Sequence, residues 1–462
     1  MGDPRGFLKL GRAKAPARAP GERVRDFHEF EPGLSEQALT DQAARCMDCG
    51  IPFCHRGCPL GNLIPEWNDQ VYRGRMDLAM EAMEATNNFP EVTGRVCPAP
   101  CESSCVLALD GAPVTIKEVE RAIAAKMLES PLPARKAPRR RGPRAAVIGS
   151  GPAGLACAQQ LARRGYDVTV FEKDDRAGGL LRYGIPDFKL EKGLLDRRVD
   201  QLQREGVDLR TGVNVCVDVT GHDLRSRFDA IVLAVGAARA RPLALPGAEL
   251  PGVEYAMTFL THANRRVAGD AVEGGIEAKG KHVVVLGGGD TGSDCVGTSL
   301  REGAASVTSL ELLPAPPGER RPDNPWPEWP LVLRTSSSHE EGGVREFGIR
   351  TTRVLGEGRV RAIEVEDAAG QRRELPCELL LLAMGFTGVE PMPIVSQLGL
   401  TLGPRGTVVT TDGVTSVPGV FAAGDATRGA SLVVWAIAEG RQVAERVDAY
   451  LSNLTAEMYE FA

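Results

Sequence analysis

The sequence predicts an α/β chain: a helical, cysteine-rich N-terminal domain followed by two Rossmann-like domains. Three observations predict it. Seven of the 11 cysteines fall between Cys46 and Cys105. A strand, glycine turn, helix and strand begin at Ala145, and the same unit recurs from Lys281. Between the cysteines and the first unit lies 131–144, which holds four Pro, six Lys or Arg and almost nothing apolar. That is the composition of a linker.

Bulk composition bounds the rest. At 462 residues, 43% hydrophobic and 25% charged, the chain is long enough for about three domains, each with its own core. Fifty-five basic against 61 acidic residues leave a net charge of −6, which argues against a nucleic-acid-binding surface. No run of about 18 apolar residues is present to span a membrane. Met1-Gly2-Asp3-Pro4-Arg5 is followed by no apolar segment of secretory type, so a cytoplasmic protein is expected.

From the N-terminus, residues 1 to about 30 are basic, Pro-rich and without periodicity, and read as an extended arm. Helical patterns follow, among them Asp77–Met83 and Val119–Ile123. Threaded through them run Cys46-x2-Cys49-x4-Cys54-x3-Cys58-Pro59 and, 39 residues later, Cys97-x3-Cys101-x3-Cys105. In a reducing compartment such a cluster reads as metal-binding rather than disulfide-bonded. The Cys-x3-Cys-Pro step matches the end of a bacterial ferredoxin run. Thiolates suit zinc equally well, and one or two structural zincs are the alternative. Iron–sulfur has a further argument: it gives electrons from a downstream nucleotide site an outlet, and zinc does not. His55, between Cys54 and Cys58, is not needed as a ligand beside seven cysteines.

The first nucleotide unit carries Gly149-Ser150-Gly151-Pro152-Ala153-Gly154, with Glu172 eighteen residues beyond the last glycine. Its glycines give a tight turn, a close approach to pyrophosphate and close helix-on-strand packing, and its helix N-terminus faces the phosphate charge. Glu172 closes the second strand, where a carboxylate accepts from ribose hydroxyls. Val420–Ala426 then forms a strand ending in Gly424-Asp425, and a helix opens across Gly429–Gly440 with Ser431 and Leu432 in its first residues. This pair, together with Ala177-Gly178-Gly179-Leu180-Leu181, resembles the flavin motifs of flavoproteins built from two dinucleotide folds. The resemblance implies FAD at the first site, Asp425 near the ribitol or pyrophosphate, and a nicotinamide domain inserted in the FAD domain. Two strands ending in glycine, Ile231–Gly236 and Leu380–Gly385, fit the two crossovers.

The second fingerprint is Gly287-Gly288-Gly289-Asp290-Thr291-Gly292, and its acid is Glu311, nineteen residues on. A carboxylate there accepts a free ribose 2′-hydroxyl and repels a 2′-phosphate, which points to NADH over NADPH. Arg320 and Arg321 lie close by in sequence and read as a solvated loop.

Taken together, Asp3–Leu8, Cys46–Cys54, Gly94–Glu102 and the C-terminal flavin motif make the chain similar to the glutamate synthase small (β) subunit family and to the related N-terminal module of dihydropyrimidine dehydrogenase. The resemblance implies two [4Fe–4S] clusters: Cys46, Cys49, Cys54 and Cys105 on one, Cys58, Cys97 and Cys101 on the other. The eighth ligand falls on Glu120 within Pro113–Glu120, with Glu118 the weaker candidate. It also implies an electron-input subunit that serves a large α subunit making glutamate from glutamine and 2-oxoglutarate. The expected division is 1–130 for the clusters, 131–144 linker, 145–272 and 387–462 for FAD, and 273–386 for NAD(P)H. Where many bacterial members carry adjacent arginines, this chain has Glu311-Leu312-Leu313-Pro314 and then Asn324–Pro330, as the NADH-using members do.

The same cofactors serve a ferredoxin:NAD(P)H oxidoreductase subunit with a different partner, which is the alternative. A disulfide reductase is excluded because the one Cys-x2-Cys, Cys46/Cys49, belongs to the cluster region. A zinc-stapled scaffold has no use for two complete dinucleotide fingerprints. Hydride transfer needs aligned rings more than an acid or base, so no catalytic proton carrier is expected.

Overall fold

Short aliphatic runs bounded by Gly or Asp become strands, and the Ala- and Leu-rich stretches between them become crossover helices. The computed structural model describes residues 2–135, 138, 142–389 and 393–460, with the backbone alone over 455–460. In chain order the first strands are β1 (Arg144–Ile148), β2 (Asp167–Phe171), β3 (Val207–Arg210) and β4 (Ala230–Leu233). Next come β5 (Val253–Tyr255), β6 (His282–Leu286), β7 (Ser306–Glu311) and β8 (Val344–Phe347). An antiparallel trio follows, β9 (Arg350–Leu355), β10 (Ala362–Glu366) and β11 (Arg372–Pro376), and then β12 (Leu379–Leu382) and β13 (Val420–Ala422).

Two five-stranded sheets result, ordered β13-β4-β1-β2-β3 and β5-β12-β6-β7-β8, parallel throughout. Both put the fingerprint strand in the middle and the strand bearing the acid beside it. Parallel strands buried on both faces need unbroken apolar runs, and β4 (Ala-Ile-Val-Leu) and β12 (four Leu) supply them, every residue buried. The chain leaves the first sheet after β4 and returns at β13, so the second sheet is inserted in the first domain. One expectation needs correction. The second sheet's edge strand is β5, which lies ahead of residue 273, so this sheet begins earlier than the expected boundary. Three residues are too few to show a period in the sequence.

The N-terminal domain packs its helices Glu36–Ala44, Ile64–Tyr72, Met76–Thr86, Pro90–Val96 and Ile116–Met127 around Trp67, Met83 and Ile123. Phe89 and Val92 extend the core of the first sheet's domain, and Val434 of the C-terminal helix Val433–Glu460 packs in among the N-terminal helices. Within the expected arm, the described residues 2–30 are not free. Arg23 is 2% exposed and donates to Glu341 at 2.6 Å and to the Ser337 carbonyl at 2.8 Å. Arg301 meets Glu341 from the other side, at 2.5 Å. A few residues on, Glu29 takes Arg95 at 2.6 Å and Arg121 at 3.2 Å. The segment is therefore a strap between the N-terminal domain and the inserted one. The expected linker starts packed, with Leu132 buried and its carbonyl bonded to Arg204, while the run Arg139–Arg141 lies outside the described residues. Among the described residues no helix is long and apolar enough to cross a membrane.

Candidate functional site

Two five-residue helices divide the cysteines. In Phe53–Gly57 and the residue that follows it, Cys54 and Cys58 are one helical turn apart. Around Pro100–Ser104, Cys101 and Cys105 have the same spacing. The helices lie so close that a Cβ on Gly57 would fall 2.3 Å from Ser104 Oγ, so only glycine fits there. Cys46, Cys49, Cys54 and Cys105 line one cavity with Ile64, Leu107 and Ile116. Cys58, Cys97, Cys101 and Glu120 line another with Asn62, Trp67, Thr93 and Lys117. Each short helix thus contributes one sulfur to each cavity. Asp48 and Ala99 hold left-handed φ of 51° and 58° in the two cysteine loops, conformations that non-glycine residues adopt at a cost.

The donors fit clusters. All eleven cysteines are free thiols. Backbone N–H groups point at the sulfurs: those of Asn62, Leu60 and Gly61 at Cys58, Ala99 at Cys97, Asp48 at Cys46 and His55 at Cys54. Such bonds to sulfur stabilise iron–sulfur centres and set their potentials. Burial pushes the Cys46 and Cys97 thiols up to about 12 and Cys58 to about 11, so a cation must replace the proton for these sulfurs to become ligands. Among the described residues no three His, Cys, Asp or Glu side chains close on a single point as ligands of one ion do. Each set of four donors lines one small cavity, as the ligands of a cluster do.

Glu120 is 5% exposed, and its Oε1 accepts from Asn87 Nδ2 at 2.9 Å and Thr93 Oγ1 at 2.5 Å. Among the described residues nothing hydrogen-bonds its Oε2. Burial raises this carboxyl to about 7. Glu118, also raised by burial, lines neither cavity. His55 donates nothing to the sulfurs from its ring, which faces Glu66 at 3.6 Å. Over the first set lies Trp326, from the inserted domain. Its ring packs on Phe53 with centroids 4.6 Å apart, and its Nε1–H donates to the Cys105 carbonyl at 3.3 Å.

At the C-terminal edge of the first sheet a cavity of about 1020 Å³ opens along Gly149–Ala153, Glu172, Gly179, Leu180, Asp425 and Ser431. The glycines divide the work. Gly149 holds φ of 98° with its Cα against the Ala234 carbonyl, and a Cβ on Gly154 would lie 2.0 Å from the Gly149 carbonyl. A Cβ on Gly151 would meet nothing within 4 Å, and that space faces the N-terminus of helix Pro152–Arg163, where a pyrophosphate belongs. Glu172 Oε2 is filled by Ser150 N–H at 2.9 Å and Ser150 O–H at 2.5 Å, while Oε1 takes only Asp174 N–H at 3.0 Å. One lone pair therefore remains for a ribose hydroxyl. Asp425, raised to about 6 by burial, accepts from Ser431 Oγ at 2.8 Å. Gly154, Gly424 and Leu432 stand behind the cavity wall: a Cβ on Gly424 would press on Ala153 at 2.8 Å. Tyr183, an aromatic residue that the sequence leaves open as core or flavin neighbour, lines the cavity, and Met257, Thr258 and His262, which carry no sequence signal, reach it from a flanking segment with no motif of its own. Replacing Gly151 by valine is expected to leave the fold intact and abolish flavin retention. Far-UV circular dichroism and visible absorbance check this, and a yellow variant would refute it.

The second fingerprint repeats the pattern. Gly287 holds φ of 116° with a Cβ position 2.3 Å from the Ala383 carbonyl, a Cβ on Gly289 would meet nothing within 4 Å, and one on Gly292 would fall 2.1 Å from the Gly287 carbonyl. Asp290 and Thr291 open the helix Asp290–Arg301. Glu311 ends β7 with its carboxylate over Gly288. Arg320 is bonded within its own loop to the Asn324 and Glu328 carbonyls, and Arg321 pairs with Asp323 at 3.2 Å.

Residues 143–440 match the pyridine nucleotide-disulphide oxidoreductase family, and residues 23–131 match dihydropyrimidine dehydrogenase domain II, 4Fe-4S cluster. Over 99% of this chain and 97% of the relative, it is 53% identical to the "Glutamate synthase [NADPH] small chain" of Mycobacterium tuberculosis. It is 44% identical to "Glutamate synthase [NADH]" of Schizosaccharomyces pombe, covering 96% of this chain and 22% of that one. The fold resembles Mycobacterium tuberculosis FprA in complex with NADPH, at a TM-score of 0.56 and 20% identity over 69% of this chain and 86% of that one.

Proposed function

The chain belongs to the family of glutamate synthase small chains, and from that premise we propose that it is the enzyme's electron-input subunit. It takes electrons from NADH, or NADPH, at FAD and passes them through two [4Fe–4S] clusters to a large subunit. That partner makes L-glutamate from L-glutamine and 2-oxoglutarate.

One observation carries the relay. Val433 and Val434 are neighbours in the first turn of the C-terminal helix, and Val433 lines the flavin cavity while Val434 lines the cavity of Cys58, Cys97, Cys101 and Glu120. A single helical turn separates the two. FAD exchanges an electron pair with a nicotinamide and single electrons with an iron–sulfur cluster.

The chain's own residues bind and orient. Gly151 and the helix N-terminus at Pro152 would hold the FAD pyrophosphate, Glu172 Oε1 a ribose hydroxyl, and Asp425 with Ser431 the ribitol region. Gly289 and the helix Asp290–Arg301 would hold the nicotinamide coenzyme's pyrophosphate. Cys46, Cys49, Cys54 and Cys105 would hold one cluster, and Cys58, Cys97, Cys101 and Glu120 the other. No side chain is assigned a proton. The working domain division is that expected from sequence, with the nicotinamide domain begun at β5. The cytoplasm, a reducing compartment, suits a chain whose eleven cysteines form no disulfide.

Anaerobically purified protein is expected to carry one FAD and about eight irons and eight labile sulfides per chain. Mixed with the large subunit and NADH, it should support glutamate formation, and neither chain should do so alone. Zinc in place of iron would overturn the relay.

A further inference from the structure

The two nucleotide sites are alike in nearly everything except what holds their acids. Glu172 is held by the N–H and O–H of Ser150, and among the described residues no cation pairs with it. At the matching place the second site has Gly288, where a Cβ would fall 2.0 Å from Glu311 Oε1. Glu311 is held instead by a cation. Arg345 sits on β8, whose register sets it opposite Ser309 of β7, two residues before the acid. Its Nε donates to Glu311 Oε1 at 2.6 Å, and one of its terminal nitrogens meets the same oxygen. Another donates to the Arg334 carbonyl at 3.0 Å. Both side chains keep nearly a fifth of their surface exposed, at 18% and 19%. Among the described residues nothing hydrogen-bonds Glu311 Oε2.

We propose that Arg345 sets the coenzyme choice of this chain through Glu311. While the pair is closed, the guanidinium occupies Oε1 and orients the carboxylate, leaving Oε2 to accept the ribose 2′-hydroxyl of NADH. The carboxylate in turn masks the cation. Without Glu311, the same guanidinium faces the 2′ position and can bind a phosphate there through two N–H donors. Arg320 and Arg321 are committed to their own loop, so the masked cation is Arg345. The proposal rests on the reading of Gly287–Gly292 as the nicotinamide coenzyme site.

The test is calorimetric titration of the holoprotein with NAD+, NADP+ and 2′,5′-ADP. The wild type should bind NAD+ roughly 10-fold or more tighter than NADP+, the worth of one charged hydrogen bond. Glu311→Ala should weaken NAD+ about 10-fold and tighten 2′,5′-ADP by a similar factor. Adding Arg345→Ala, or Arg345→Gln if the alanine variant does not accumulate, should erase that gain. Equal 2′,5′-ADP binding by Glu311→Ala and the double variant would overturn the proposal, as would a wild type that prefers NADP+. Gly289→Val separates the two readings. If it leaves NAD+ binding intact, the site reading has failed. If it abolishes NAD+ binding while the arginine variants change nothing, only the role of Arg345 has failed.

Discussion

Replacing Glu120 by alanine should remove one cluster and leave the other: about four irons per chain instead of about eight. The carboxyl is buried, two donors fix its Oε1, and the unbonded Oε2 completes a set with three thiols. Alanine offers no donor, and neither neighbouring hydroxyl nor amide is an anionic ligand. Because this set shares a helical turn with the flavin cavity, its loss should cut transfer to the large subunit by more than 100-fold. Reduction of the flavin by NADH should be unaffected. Iron and sulfide analysis with anaerobic spectroscopy of the surviving centre checks the first part, and stopped-flow reduction of the flavin the second. Eight irons in the variant would dismiss Glu120 as a ligand.

The second large effect concerns the joint between the cluster domain and the flavin domain. Arg198, 1% exposed, donates Nε to Glu91 Oε1 at 2.9 Å and a terminal nitrogen to Oε2 at 2.6 Å, and Glu91 is wholly buried. The fork also reaches Gln201 Oε1 at 2.6 Å. Glu91→Leu leaves a guanidinium buried without its counter-charge and should cost about 3–5 kcal/mol in urea unfolding. Glu91→Leu with Arg198→Met should recover most of that loss, since an apolar pair of similar volume removes both desolvation penalties. A single-variant loss under about 1 kcal/mol would show that the joint is held by its other contacts, Phe89 and Val92 among them.

What could be read from the sequence follows from how local each signal is. The fingerprints are legible because a turn, a helix N-terminus and an acid one strand later are all fixed by nearby residues. Glu311 was visible for that reason, and Arg345 was not: only the pairing of β8 with β7 brings it to the acid. The spacing of Cys54 with Cys58, and of Cys101 with Cys105, is one helical turn, yet spacing alone does not say that the two members of each pair face different cavities. That requires the two short helices to pack through Gly57. The strap at 18–31 showed no period because its buried contacts, Glu341 and Arg301, belong to another domain. The strand β5 escaped notice because its three residues gain their strand character from β12.

The cover that Trp326 places over Cys105 has a consequence in time. Ribosomes deliver the chain N-terminus first, and Trp326 follows Cys105 by 221 residues. At about 5–20 residues per second, roughly 10–45 s pass between the last thiol of the cysteine region and the indole that will cap it. The strap must wait longer still, since Glu341 lies 318 residues beyond Arg23. During that interval all seven thiols have been made while the indole that packs beside Cys105 has not. Cluster delivery during synthesis therefore meets the cysteine region before Trp326 packs on Phe53, and delivery to the finished chain meets it afterwards.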